Sequence, residues 1–258
     1  RAKRTLSDAK VPFEVPRGDE MEARLGSVLE VIYLIFNEGY TATSGADWVR
    51  PGLCDEATRL GRILAELALH EPEVHGLVAL MEIQASRLHA RVAPNGDPIL
   101  LLEQDRARWD HMLIRRGLAA LDRAEREAAA QSIGLGPYVL QAEIAACHAR
   151  APVAADTDWA RIVAIYDALG HITPSPVVEL NRAVAVSMAE GPAAGLALVD
   201  ALLEEPALKG YHLLPGVRGD LLFKLDRKVE AKAAFERAAS LTRNERERAL
   251  LLKRAAEC

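Results

Sequence analysis

The sequence predicts an all-α fold, a helical bundle continuing into an α-solenoid of stacked helical hairpins. Three observations predict it. Half of the 258 residues are hydrophobic and most of these are Ala and Leu, while aromatics reach only 5%. Ala and Leu head the helix-propensity scale, whereas strands draw on aromatic and β-branched side chains. Apolar residues recur at steps of three and four along most of the chain. The C-terminal part also repeats itself at an offset of 37 residues, from Asn181 to Arg218, and similarity at a fixed spacing of this size signals helical hairpins.

The opening stretch, RAKRTLSD (1–8), carries three cations, Arg1, Lys3 and Arg4, and reads as the interior of an amphipathic helix. AKVPFEVPRGDE (9–20) holds two prolines and a glycine and reads as a linker. From Met21, the residues Leu25, Val28, Leu29, Ile32, Ile35 and Phe36 mark a helix. NEGY (37–40) ends it, with Gly39 at the C′ position. After a polar loop, Asp55 is the expected cap of a second helix with Leu60, Ile63, Leu64 and Leu67 on one face. A third helix is expected from Pro72 to about Val92. APNGDP (93–98) is a turn whose Asn95-Gly96 pair suits a small hairpin between Arg91-Val92 and Ile99-Leu100. A fourth helix is expected over roughly 103–130, broken by Gly134, Gly136 and Pro137. The bundle is therefore assigned to 21–135 and the repeats to 136–258.

Within the repeats, Val184, Val186 and Met188 fall on Leu221, Phe223 and Leu225 at the 37-residue offset. Ala194, Leu198 and Ala201 fall on Ala231, Phe235 and Ala238. The small–large–small order Ala231, Phe235, Ala238, with Gly219 twelve positions earlier, fits the tetratricopeptide pattern, whose usual period is about 34 residues. Ala194 and Ala231 are expected where the two helices of a hairpin approach most closely. Ile162, Tyr166, Leu169 and Pro174 form a weaker copy. ERERALLLKRAAE (245–257) reads as the polar-faced capping helix that a solenoid needs at its end.

Several function classes are disfavoured. The net charge of −5 lacks the basic patch of a nucleic-acid binder. No apolar run approaches the roughly 20 residues that span a bilayer. Cys54, Cys147 and Cys258 are odd in number and far apart, which fits a reduced, cytoplasmic protein. No nucleotide-binding, nucleophile-elbow or zinc-protease motif is present, and the seven histidines are scattered. No catalytic residue, cofactor or metal site is expected. The polar candidates are few. In EQDRARWDH (103–111), Arg106 and Asp110 are four apart, as are Asp105 and Trp109. This is either a partner- or ligand-binding patch or an ordinary helix start with a half-buried Trp. NEGY supplies Asn37, Glu38 and Tyr40, which either contact a partner or cap helices and tie down the 40–54 loop. Asn181, Arg182 and Arg218 recur at matching repeat positions, as groove-facing contacts or as braces between repeats.

The stretches RAKRTLSDAKVPFEVP, RLGSVLEVIYLIFNEGYTAT, LCDEATRLGRILAELALHEPEVHGLVALM, LLEQDRARWD, GPYVLQAEIAACHA and TPSPVVELNRAVAVSMAEG occur in that order. Together they resemble the C-terminal portion of bacterial extracytoplasmic-function sigma factors that carry a long tetratricopeptide-like extension. The resemblance runs through essentially the whole chain. It implies that Arg1, Lys3 and Arg4 are the last turns of a promoter-reading recognition helix whose body is not in this chain. It implies a regulatory extension that acts in cis, with RNA polymerase and the parent's own sigma domains as partners, and with promoter DNA contacted only through those domains. No membrane partner is expected. The other readings are a tetratricopeptide scaffold that recruits a different protein, and a small-molecule sensor with a pocket near Trp109 and the 40–54 loop.

Overall fold

The computed structural model describes residues 19–258, and among them the fold is all-α, with eleven α-helices and two strands of two residues each. Helices α1 (Asp19–Tyr40), α2 (Pro51–Leu67), α3 (Pro72–Ala85), α4 (His111–Ala130) and α5 (Pro137–Arg150) come first. Then follow α6 (Trp159–Ile172), α7 (Pro176–Glu190), α8 (Pro192–Ala201), α9 (Leu213–Lys224), α10 (Lys228–Leu241) and α11 (Glu245–Ala256). Five of these helices begin on a proline. Proline at the first helical position has its φ already set, and the N–H it lacks would be unpaired there.

The centre is α3. From Val74 to Ile83 every residue is buried, as expected of a helix that is apolar all round. Ala79, Leu80 and Ile83 share one core with Leu121 and Ala124 of α4 and with Val139, Ala142, Ala145 and Ala146 of α5. The core therefore runs without a break across residue 135. A second core joins Leu29, Ile32 and Phe36 of α1 to Cys54 and Ala57 of α2 and to Leu77 and Met81 of α3.

Several boundaries differ from the expected ones. The residues Asp19 and Glu20, assigned to the linker, belong to α1; residues 1–18, including Arg1, Lys3 and Arg4, lie outside the described part. Helix α2 starts at Pro51 and not at a cap on Asp55. Helix α3 stops at Ala85, where the Ser86 hydroxyl turns back to the Ile83 carbonyl at 2.6 Å and a single 3-10 turn, Leu88–Ala90, follows. The expected helix over 103–130 begins only at His111. Asp110 accepts bonds from the Met112 and Leu113 amides and is its N-cap, and Asp105 caps a separate 3-10 turn by accepting from Ala107. Each aspartate binds amides that a continuous helix would bond internally, so the chain is reset twice before α4. The small hairpin forms: Val92 bridges Pro98, the Ile99 amide donates to the Arg91 carbonyl at 2.8 Å, and Gly96 takes φ +86°.

The hairpins α7/α8 and α9/α10 stack as repeats, but in a different register. Buried Ala183, Ala185, Val186 and Val199 occupy the places of buried Gly219, Leu221, Leu222 and Phe235, a spacing of 36 residues (219 less 183). The small residue at the closest approach in α8 is Gly195, where an added Cβ would lie 2.8 Å from the Ala183 carbonyl. Ala194 is only half-buried, whereas Ala231 is fully buried.

The array does not end as an open solenoid. Ser44 and Gly45 (β1) pair in parallel with Arg243 and Asn244 (β2). Buried Asn244 donates from Nδ2 to the carbonyls of Ala42 at 3.0 Å and Asp47 at 2.8 Å, while its Oδ1 accepts from the first amides of α11. One side chain thus both caps the last helix and ties it to the 41–50 loop.

Candidate functional site

Between the bundle and the repeats lies a cavity of about 260 Å³. Its walls come from α1 (Tyr33), α3 and the turn after it (Leu80, Gln84, Arg87), α5 (Gln141, Ile144, His148), α6 (Tyr166) and α7 (Asn181), with Leu101 beside them. The Tyr33 hydroxyl donates to Gln141 Oε1 at 3.0 Å, and Gln141 Nε2 donates to the Pro137 carbonyl. Burial raises the Tyr33 phenol, against an opposing hydrogen bond with Asn37. Burial also pushes Tyr166 to about 12, so both phenols stay protonated.

Three arginines lie at or beside the cavity, Arg87 and Arg106 buried and Arg91 half-buried, and Arg87 lines it. Arg87 is 7% exposed. Its Nε has no acceptor, and its guanidinium makes no hydrogen bond or ion pair with any described residue. It rests 5.8 Å from the Tyr40 ring centroid and 5.7 Å from that of Trp109. Arg91 sits over Tyr40 at 3.7 Å and donates to the Tyr40 carbonyl and to Thr41 Oγ1. Buried Arg106 donates to the carbonyls of His148 and Ala151, each at 2.7 Å, and to Thr157 Oγ1 at 3.0 Å. Among the described residues no carboxylate forms an ion pair with any of the three. Burial, then the charges of Arg87 and Arg106, lower His148 to about 3. Its ring is therefore neutral at physiological pH, and its buried Nδ1 has no partner.

The residues singled out from the sequence are distributed as follows. Asn37 neighbours the Tyr33 hydroxyl but does not line the cavity. Glu38 accepts from the Thr43 amide and hydroxyl and from Arg50 at 2.6 Å, which holds the 41–50 loop. Tyr40 stacks on Phe36 with centroids 5.7 Å apart and carries Arg91. Asp105 is an exposed cap. Arg106 and Trp109 are both buried and lie 5.0 Å apart, and Arg106 does not pair with Asp110. Arg182 braces Glu179 at 2.7 Å and Asp167 of α6 at 3.4 Å, and Arg218 braces Asp200 of α8 at 2.7 Å. Asn181 is exposed at the cavity wall. Sequence reasoning overlooked Arg87, Gln84, Gln141 and His148. The readable signal was Arg87 itself, a charge shortly after the apolar run Gly76–Met81.

All three cysteines are free, and burial pushes Cys54 to about 12 and raises Cys147. Among the described residues no group of three or more His, Cys, Asp or Glu side chains is placed to hold a metal ion. No described helix is long and apolar enough to cross a membrane.

A second surface feature is an apolar groove of about 480 Å³ between α1 and α2, lined by Val28, Val31, Ile32, Ile35, Ile63 and Leu67. Val31 is 55% and Leu67 78% exposed.

Residues 24–125 match a family described as a family of unknown function (DUF6596). The chain is also similar to "Uncharacterized protein R00370" of Rhizobium meliloti (strain 1021), 47% identical over 251 residues. That match takes in 97% of this chain and 58% of the relative, so the chain spans little more than half the relative's length.

Proposed function

We propose that this chain is a non-enzymatic regulatory extension of a cytoplasmic extracytoplasmic-function sigma factor, and that it modulates promoter-specific initiation by RNA polymerase in cis. The observation that carries the reading is the apolar groove between α1 and α2. Contiguous exposed apolar surface of this kind marks protein contact. The occupant we assign to it is the parent's own sigma domains. The groove lies on α1, the helix that follows the linker expected from the sequence. The ten residues 9–18 left to that linker would reach at most about 36 Å when extended and hold a tethered domain at an effective concentration on the order of millimolar. The ordered motifs that resemble the sigma-factor extension add to this support.

The test is in vitro transcription by the full-length protein carrying Val31→Glu with Leu67→Glu. Both positions are exposed, so the melting temperature is expected to hold while promoter output changes severalfold. Unchanged transcription from a folded variant removes the groove from regulation and leaves the recruitment-scaffold reading.

A further inference from the structure

We propose that the cavity between bundle and repeats binds a small organic carboxylate. Its carboxylate sits on the Arg87 guanidinium, and its body lies against Tyr33, Gln141, Tyr166 and Asn181. The inference does not rest on the sigma-factor reading, because it concerns binding to this chain alone.

A guanidinium brings five N–H donors and does not escape burial by losing its proton. Taking such a charge out of water is costly unless an anion and hydrogen bonds compensate it. The two aromatic rings beside Arg87 supply only a weak cation–π attraction at 5.7 and 5.8 Å. No described side chain or carbonyl accepts from it, whereas Arg91 and Arg106, whose Nε atoms are likewise unpaired, find carbonyl and hydroxyl acceptors for their terminal nitrogens. The donor set is therefore left open on the side where Arg87 lines the cavity.

The class of ligand follows from charge, size and wall chemistry. Arg87 is the cation on the wall, and His148 is neutral, so a monoanion balances the site better than a phosphate dianion. A planar carboxylate also matches the two-pronged donor geometry of a guanidinium. At interior packing density, about 260 Å³ holds roughly ten non-hydrogen atoms. That excludes a nucleotide or a folded peptide segment. The walls divide into apolar surface (Leu80, Leu101, Ile144 and the phenol rings) and neutral hydrogen-bonding groups (Gln84, Gln141, Asn181 and His148 Nδ1). This suits a compact ring or short chain bearing one or two hydroxyl or carbonyl groups. Exposed Asn181 stands at the wall contributed by the repeats. A ligand there touches both halves of the molecule and stabilises the contact between them.

The test is thermal melting of the full chain with benzoate, 4-hydroxybenzoate, pyruvate and lactate, each beside its neutral amide, and with inorganic phosphate. Titration calorimetry follows on any hit. We expect at least one carboxylate to raise the melting temperature by several degrees in a saturable way, with its amide inactive. The response should be lost in Arg87→Met and weakened at least tenfold in Arg87→Lys, which keeps the charge but not the fork. Asn181→Leu, at an exposed position, should weaken binding severalfold with the ligand-free melting temperature unchanged, and it stands in if an Arg87 variant fails to fold. The proposal is overturned if no carboxylate stabilises the chain, if the amides act equally, if phosphate alone acts, or if hits act undiminished on the folded variants.

Discussion

The arginines of the repeats and those of the bundle–repeat junction solve the same problem in opposite ways. In the repeats, Arg182, Arg218 and Arg254 each hold a carboxylate: Glu179 at 2.7 Å, Asp200 at 2.7 Å and Asp220 at 2.6 Å. At the junction, Arg87, Arg91 and Arg106 hold none among the described residues and rest on the rings of Tyr40 and Trp109. The junction does not lack acids. Glu82 is buried with Arg62 at 2.8 Å and Arg116 at 3.4 Å, and Glu143 with Arg161 at 2.6 Å, but neither lines the cavity. Negative charge is thus segregated from the inner cations. Paired, half-exposed arginines are inexpensive braces worth little each, whereas unpaired buried ones cost stability and are better explained by what they bind.

The largest effect is expected where a junction arginine has become structural. Arg106→Ala leaves the carbonyls of His148 and Ala151 and the Thr157 hydroxyl without their donor. Each buried acceptor so orphaned costs about 1–3 kcal/mol, and a loss on the order of 3 kcal/mol is expected in urea unfolding. A loss below about 1 kcal/mol would place Arg106 with the repeat braces and blur the contrast.

The next effect tests the repeats by themselves. Ala231 is fully buried at the α9–α10 contact, and Ala231→Leu is expected to cost about 1–3 kcal/mol by overpacking. Ala194→Leu, at the position that the 37-residue offset makes equivalent, is expected to cost clearly less because Ala194 is half-buried. Equal costs would restore the 37-residue register over the 36-residue one.

That register shows what was legible. The all-α class, the hairpins, a helix over 245–256 and the Asn95-Gly96 turn follow from composition and local periodicity, and each is present. The one-residue slip arose because α7 and α9 start 37 residues apart, at Pro176 and Leu213, while α8 and α10 start 36 apart, at Pro192 and Lys228. The buried positions of both helix pairs keep the 36-residue spacing, so the 37-residue offset fits only the starts of α7 and α9. The stretch 103–110 was misread as helix because its spacing of charges is helical, although its two aspartates serve as caps. The closure by Asn244 was not legible, since a contact across about two hundred residues leaves no local pattern. The cavity was hidden for the same reason: Tyr33, Arg87, His148 and Asn181 are polar residues on four separate segments, and only their convergence gives them meaning.

A smaller, pH-dependent effect sharpens the account of the acids. Glu125 is raised from 4.5 to about 7, first by sharing a hydrogen bond with Glu143 and then by burial. For Glu143, burial acts upward, but the bonds from Glu125 and Arg161 outweigh it and hold the carboxyl below its ordinary value. Glu143 Oε1 is buried without another partner. Because the folded pKa is the higher one, the associated stability is complete below the ordinary carboxylate value and is lost as pH rises through about 7. The melting temperature of the wild type should therefore fall relative to Glu125→Gln between about pH 5 and pH 8. Parallel pH profiles would mean that the two carboxyls do not share a proton.

The smallest changes separate the two classes of arginine by sign. Arg218 and Asp200 are 23% and 39% exposed in their side chains, so Arg218→Ala is expected to lose only about 0.2–1 kcal/mol. Arg87→Met removes a buried charge that no described residue neutralises and replaces it with an apolar chain of similar length. Without ligand that change is expected to leave stability unaltered or raise it by about 1 kcal/mol, since apolar replacement of buried charge is often neutral or stabilising. If Arg87→Met instead destabilises the ligand-free protein as strongly as Arg106→Ala, its ring contacts are holding the junction together. Arg87 would then be a brace after all, and the distinction between the two regions would lie in the partner each arginine uses.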